Sequence, residues 1–305
     1  MKISLAELFQ KNYGVYGIPA FNVFNAEQVL GVFRGAIKAE LPIITAITPA
    51  ARKYITHEVL EGIITSAAKL YPSVTFSVHL DHGNVEHCIS AIDSGFYDSI
   101  MIDASHEEFS KNVEITSEIV KKAHDKDITV EAELGVLSGV EDDISVSEKS
   151  SKYTDPDQVH EFVERTKCDS LAVAVGTSHG AYKLSAGQGL QLDILKRIRE
   201  ILPGFPIVLH GASNVSREEI TRINDAGGNL KSSAKGIDPE EIKQAIKLGV
   251  TKINVATDLR LLWTRIHREF FRDTPDLFDM VVPGRKYMEE LSEFVNQKCR
   301  SLYVK

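Results

Sequence analysis

Three histidines in this chain share a setting. His82 is the penultimate residue of SVHLDHG (77–83), His179 lies in GTSHGAYK (176–183) directly after SLAVAV, and His210 ends PIVLH just before Gly211. Each follows an apolar, β-branched run and sits beside glycine or another small residue, so each reads as the polar end of a buried strand. A single histidine there is usually a hydrogen-bonded rim residue. Three at equivalent ends can converge, and three neutral imidazoles with a fourth position open form the ligand set of a catalytic zinc ion. Asp81 marks the same strand end as His82, and His79, two residues before Asp81, shares its face and points inward as a supporting group. Asp103, at the end of SIMID, and Glu133, in VEAEL, add carboxylates to the rim. They can hold a second metal position, orient the imidazoles or pair with cations. The turns HGAS (210–213) and NVAT (254–257) offer backbone N–H groups to a phosphate, and Lys183 is either a phosphate contact or a solvated lysine.

Positioning these groups requires strands whose ends meet. Eight short apolar runs recur: 19–23, 43–47, 76–80, 99–103, 130–134, 170–175, 206–210 and 252–257. Stretches with charged faces and helical periodicity separate them, as at 107–126 and 190–202. Eight strand–helix units in roughly 250 residues predict an α/β protein of one domain, a (β/α)8 TIM barrel, whose reacting groups project from the carboxyl ends of the strands. The rival is a doubly wound sheet, but no GxGxxG follows the first strand. Two long connections interrupt the pattern, at 135–155 after the fifth run and at 225–241 between the seventh and eighth. Loops of that length in a compact domain are commonly functional; the first leaves from the active end, and the side faced by the second is open.

Composition narrows the partners. A formal charge of −8 argues against a nucleic-acid or anionic-membrane surface and leaves small molecules and other copies of the chain. No apolar run reaches the ~20 residues of a bilayer span and the first residues lack a signal-peptide core, so a cytoplasmic protein is expected. Cys88, Cys168 and Cys299 are odd in number, far apart and without CxxC spacing, which fits buried thiols in a reducing compartment. A metal must therefore rest on histidine and carboxylate. Lys252 reads as the start of its strand and Lys183 trails a turn, so neither is placed as a Schiff-base nucleophile.

Taken in order, PAFN (19–22), HLDHG (79–83), MIDASH (101–106), VEAELG (130–135), GVEDDISV (139–146), AVGTSHGAYK (174–183), VLHGAS (208–213) and KINVATDL (252–259) resemble the class II, zinc-dependent fructose/tagatose-bisphosphate aldolases over nearly the whole chain. The resemblance implies zinc on His82, His179 and His210, with Asp103 and Glu133 marking an alternative or second metal position. It makes Asp81 the proton donor to the aldehyde oxygen and Glu141, on the long loop, the base that takes a proton from dihydroxyacetone phosphate. Asn22, Thr48, Gly180, Gly211, Ala212, Ser213 and the residues Asn254, Val255, Ala256 and Thr257 would surround the substrate, with Lys183 nearby. Carbonyls near Gly180 and Gly211 would bind a monovalent cation, K+ or Na+. The implied partners are a phosphorylated ketose and a triose phosphate, and the implied assembly is a homodimer or homotetramer. The alternatives are another phosphorylated keto-sugar or keto-acid as substrate, a metal-dependent hydrolase built on the same histidines, and a non-catalytic partner subunit of a tagatose-type enzyme.

The chain departs from that pattern in two places. Ala256 stands where fructose-cleaving relatives carry aspartate, and NVAT and ITPA (47–50) are closer to tagatose-type members, whereas 225–241 is closer to fructose-type ones. The choice of C4 epimer stays open. LFDMVVPGR (277–285) has no arginine before Pro283 to reach a distal phosphate, which leaves Arg52 or Arg285 as substitutes.

Overall fold

The computed structural model describes residues 1–141, 144–146, 152–179, 189–231 and 236–304; the side chains of residues 138, 140, 141, 144–146 and 179 lie outside that description. Helix α1 (Leu5–Asn12) precedes β1 (Ile18–Asn22), α2 (Ala26–Ala39) and β2 (Ile43–Ile47). Helices α3 (Pro49–Ile55) and α4 (His57–Leu70) lead to β3 (Phe76–Gly83), then α5 (Val85–Ser94), β4 (Ser99–Ile102), α6 (Phe109–His124) and β5 (Thr129–Leu134). A hairpin follows, β6 (Ser138–Glu141) and β7 (Ile144–Val146), then α7 (Pro156–Thr166), β8 (Ser170–Val173), β9 (Ser178–His179), α8 (Leu192–Ile201) and β10 (Ile207–Leu209). The chain ends with α9 (Arg217–Asp225), α10 (Pro239–Lys247), β11 (Val250–Val255), α11 (Thr257–Asp273) and α12 (Val281–Ser301).

Eight parallel strands close in the order β1-β11-β10-β8-β5-β4-β3-β2, the barrel expected from the eight apolar runs. Because helices cover the outside and side chains fill the inside, the strands are buried on both faces, which is why they read as continuous apolar runs. Inside, Met101, Ala172 and Val208 form an apolar cluster separate from the main core. Local chemistry sets the helix starts. The side chains of Asn25, Thr48, Asn84, Asp155, Ser216 and Asp238 each accept a first-turn N–H, and Pro49, Pro156 and Pro239 occupy first helical positions. Gly35 lets α2 approach α12 closely, since a Cβ there would lie 2.6 Å from the Ser292 carbonyl. The three cysteines are free and buried, and burial raises each thiol's pKa, that of Cys168 to about 12.

Two connections differ from or complete the sequence reading. Within 135–155 the chain forms the antiparallel β6–β7 hairpin, and β6 also pairs in parallel with β9, Gly139 opposite His179. This small sheet stands beyond the end of β5. Helix α10 ends just before β11 begins, so its N-terminus lies at the carboxyl ends of the strands. The residues that lead into it from Gly236 therefore lie at the active end, where Gly236 packs on the Asn214 carbonyl, whereas residues 232–235 lie outside the described residues. None of the described helices is long and apolar enough to cross a membrane.

Candidate active site

A defect in β3 begins the site. In a regular strand Asp81 and His82 would point to opposite faces. The pairing of β3 with β4 advances three residues, Leu80 to Gly83, against two, Ile100 to Ile102, and His82 takes a left-handed φ of 50°. This bulge lets both side chains reach the barrel mouth; non-glycine residues held in that conformation are uncommon and concentrate at functional sites.

His82 Nδ1 lies 2.9 Å from Asp103 Oδ2, while Asp103 Oδ1 accepts from the Ser105 amide and hydroxyl at 3.2 and 2.8 Å. Burial would push the Asp103 carboxyl up, but the His82 and Ser105 hydrogen bonds hold it well below the usual range. The His82 and His210 rings meet edge to face with centroids 4.5 Å apart. His210 Nε2 is 2.9 Å from Glu131 Oε1 and its Nδ1 is 3.7 Å from Glu133 Oε2. Burial, then the nearby His82, lowers the His210 pKa and favours the neutral ring a metal requires.

Ligand atoms of Asp81, His82 and His210 lie within 4.8 Å of one another, as do those of His82, Asp103 and Glu133. The two groups share His82, so the site can offer two neighbouring positions to one ion. Imidazole and carboxylate donors at this spacing suit a first-row divalent ion such as zinc. His179, the third expected ligand, has its backbone in β9 rather than on a barrel strand, and its side chain lies outside the described residues. Its neighbour Ser178 packs on Gly211: the φ there is 61°, and a Cβ would overlap the Ser178 carbonyl. Only glycine lets the His179 segment lie this close to His210.

Asp81 is wholly buried. Asn22 Nδ2 donates to its Oδ2 at 2.8 Å, and Asn254 Nδ2 donates to Oδ1 and Oδ2 at 2.9 and 3.1 Å. Asn22 and Asn254, expected to meet substrate, hold the Asp81 carboxylate in this structure. Beneath lies a pair that sequence reasoning missed. Lys252 Nζ contacts both Glu131 oxygens at 3.0 and 2.8 Å and stands 3.7 Å from Asp81 Oδ1. Lys252 does not start its strand, as the sequence reading had it; it is the third residue of β11, its side chain inside the barrel. Burial would push the Glu131 carboxyl up, yet Lys252 and the His210 hydrogen bond hold it down at about 2. His79 bonds Ser99 Oγ through Nδ1 at 2.9 Å, and burial, then Lys252, lowers its pKa to about 3, which keeps the ring neutral. Period-two spacing was the available signal: Glu131 shares a face with Glu133, and Lys252 with Asn254.

The family model described as class-II fructose-bisphosphate aldolase matches residues 3–305. The chain belongs to the class-II fructose-bisphosphate aldolase family. It is 42% identical to the fructose-bisphosphate aldolase of Thermus caldophilus, over 94% of this chain and 91% of that one. With the Treponema pallidum fructose-bisphosphate aldolase it shares 40% identity over 94% and 90% of the two chains. The crystal structure of the YdjI aldolase of Escherichia coli K12 superposes with a TM-score of 0.78 at 31% identity, covering 99% of this chain and 97% of that one.

The remaining expected residues of the aldolase divide by position. Ala212 and Ser213 are buried in the turn after β10, and the next two amides, of Asn214 and Val215, donate to Asp258 at 2.8 Å each. Val255 ends β11, Ala256 is the N-cap of α11 without a side-chain hydrogen bond, and Thr257 is the first helical residue. Thr48 is buried and its hydroxyl accepts the Ala51 amide at 3.2 Å, closing the first turn of α3. Arg52 donates to the His87 carbonyl and Ser90 Oγ at 3.2 and 2.9 Å and lies over Tyr97, so its guanidinium is committed to α5. Arg285 is exposed on the second turn of α12. Gly180 and Lys183 lie outside the described residues, as does the side chain of Glu141, whose backbone ends β6.

Proposed function

We propose that this aldolase catalyses the reversible cleavage of a ketose 1,6-bisphosphate to dihydroxyacetone phosphate and glyceraldehyde 3-phosphate, with the fructose sugar of its relatives' names and its C4 epimer tagatose as candidates. The observation that carries the reading is Asp81, buried, held by two asparagine amides and set beside the His82–His210 pair. His82, His179 and His210 are assigned to zinc, and Asp103 and Glu133 to its alternative position; the ion supplies Lewis acidity toward the substrate carbonyl. Asp81 gives a proton to the aldehyde oxygen in condensation and takes it from the C4 hydroxyl in cleavage. Glu141, on the hairpin, takes the α-proton of dihydroxyacetone phosphate as the hairpin excludes water.

The phosphate is assigned to the amides of residues 211–213 and the start of α11, where the uncapped Ala256 leaves first-turn N–H groups to a ligand. Asn22, Thr48, Gly180 and Lys183 complete the substrate surroundings, with a K+ or Na+ ion on carbonyls near Gly180 and Gly211. Arg260, exposed on the first turn of α11 and 5.1 Å over the Phe24 ring just past β1, is assigned to the distal phosphate. Three buried free thiols support a reducing compartment such as the cytoplasm.

Ala256 offers no carboxylate to a sugar hydroxyl, and one such buried hydrogen bond changes discrimination by ~1–3 kcal/mol. Cleavage rates for fructose and tagatose bisphosphates and their 1-phosphates are therefore expected to show weak or reversed selectivity for the fructose sugar. A fructose preference above roughly a hundredfold would exceed what this one contact supplies and refute the reading of Ala256. Arg260→Ala should raise KM for bisphosphates but not for 1-phosphates.

A homodimer or homotetramer is proposed from an exposed apolar run at the start of α12. Phe278 is 96% and Met280 83% exposed, and Leu277, Val281 and Val282 flank them. Light scattering should give a multiple of the 33.8 kDa chain mass, and Phe278→Glu should shift it toward monomer. A monomeric wild type would reject the assembly.

A further inference from the structure

A line of buried polar groups lies beneath the candidate metal site. Lys252, Glu131 and His210 are each fully buried, and they form a line across the barrel from β11 through β5 to β10. The Lys252 ammonium has donors only, and it reaches both Glu131 oxygens at 3.0 and 2.8 Å. Glu131 is thereby kept as a carboxylate, an acceptor only. The His210 nitrogen 2.9 Å from Glu131 Oε1 is Nε2, so Nε2 must carry the ring hydrogen. A neutral imidazole has one such hydrogen, which leaves the lone pair on Nδ1. Nδ1 lies on the Glu133 side, 3.7 Å from that carboxylate, where the candidate metal groups gather.

We propose that Glu131, clamped by Lys252, is a positioning residue that fixes His210 in the Nε2–H tautomer and so presents Nδ1 as a preformed metal ligand. This rests on the metal assignment made above. Outer partners of this kind typically change metal affinity by 10–100-fold, because they set both the orientation and the basicity of the ligating ring. Glutamine at 131 keeps the shape but presents either an oxygen or an NH2 to the ring, so the tautomer is no longer dictated. It also strands the Lys252 ammonium in the interior, which is costly. The double substitution Glu131→Gln with Lys252→Met removes that charge, and it keeps the question answerable where the single variant does not fold.

The test has two arms on the full chain. In the first, zinc affinity is measured by chelator competition for wild type, Glu131→Gln and the double variant, with folding checked by circular dichroism. A loss of roughly 10–100-fold is expected in each folded variant. In the second, one-bond 15N–1H coupling in metal-free, 15N-histidine-labelled protein locates the His210 hydrogen, with the resonance assigned from a His210→Gln sample. It is expected on Nε2 in wild type and no longer confined there in the variants. A hydrogen on Nδ1 in wild type, or zinc affinity in folded variants within about twofold of wild type, overturns the proposal. A wild type that binds no zinc fails the metal assignment instead, and the coupling arm still decides the tautomer.

Discussion

Alanine at position 81 is expected to lower turnover of ketose-bisphosphate cleavage by ~10²–10⁴-fold, the usual contribution of a positioned proton carrier. The carboxylate removed is held at both oxygens by Asn22 and Asn254, so little reorganisation precedes proton transfer. Two buried amide donors would lose their acceptor, a cost of ~1–3 kcal/mol that the barrel can bear. The half-reactions separate the roles. Exchange of the α-proton of dihydroxyacetone phosphate with solvent should persist in Asp81→Ala and fail in Glu141→Ala. Because ligand atoms of Asp81, His82 and His210 lie within 4.8 Å of one another, bound zinc should be measured in the variant as well. Loss of the ion would make Asp81 a ligand, and equal loss of exchange in both variants would mean that the acid and base are not separable.

Stripping the ion with a chelator should reduce cleavage by at least about 10³-fold, with recovery on adding zinc, since several kcal/mol of charge stabilisation vanish and each 1.4 kcal/mol is a factor of ten. His210→Ala should show the same deficit without recovery. Among the described residues no other group offers comparable stabilisation: Lys252, the one described lysine inside the barrel, is locked to Glu131 and is not poised to attack a carbonyl. Full activity after zinc removal, or a substrate-linked lysine trapped by borohydride, would overturn the metal route.

Much of this aldolase was legible as a sequence. The eight apolar runs became the eight barrel strands because a closed parallel sheet covered by helices buries both faces, and that burial leaves an unbroken apolar signal in the chain. His82, Asp103, Glu133 and His210 came together for the same reason: in such a barrel the carboxyl end of every strand opens on one rim. What the sequence did not determine depends on contacts between distant segments. Asp81 and His82 both serve the site only through a bulge in β3, and a bulge is set by how two strands pair, not by the residues of one. Lys252 and Glu131 stand 121 positions apart and Asn254 and Asp81 173 apart, so their types alone could not reveal that one pair meets beneath His210 and that the other pair holds the Asp81 carboxylate. The hairpin in 135–155 read as a loop because β6 and β7 are short and find part of their pairing in β9, about forty residues further along. Periodicity records which face of a strand is buried; only closure of the barrel decides which buried polar groups meet across it.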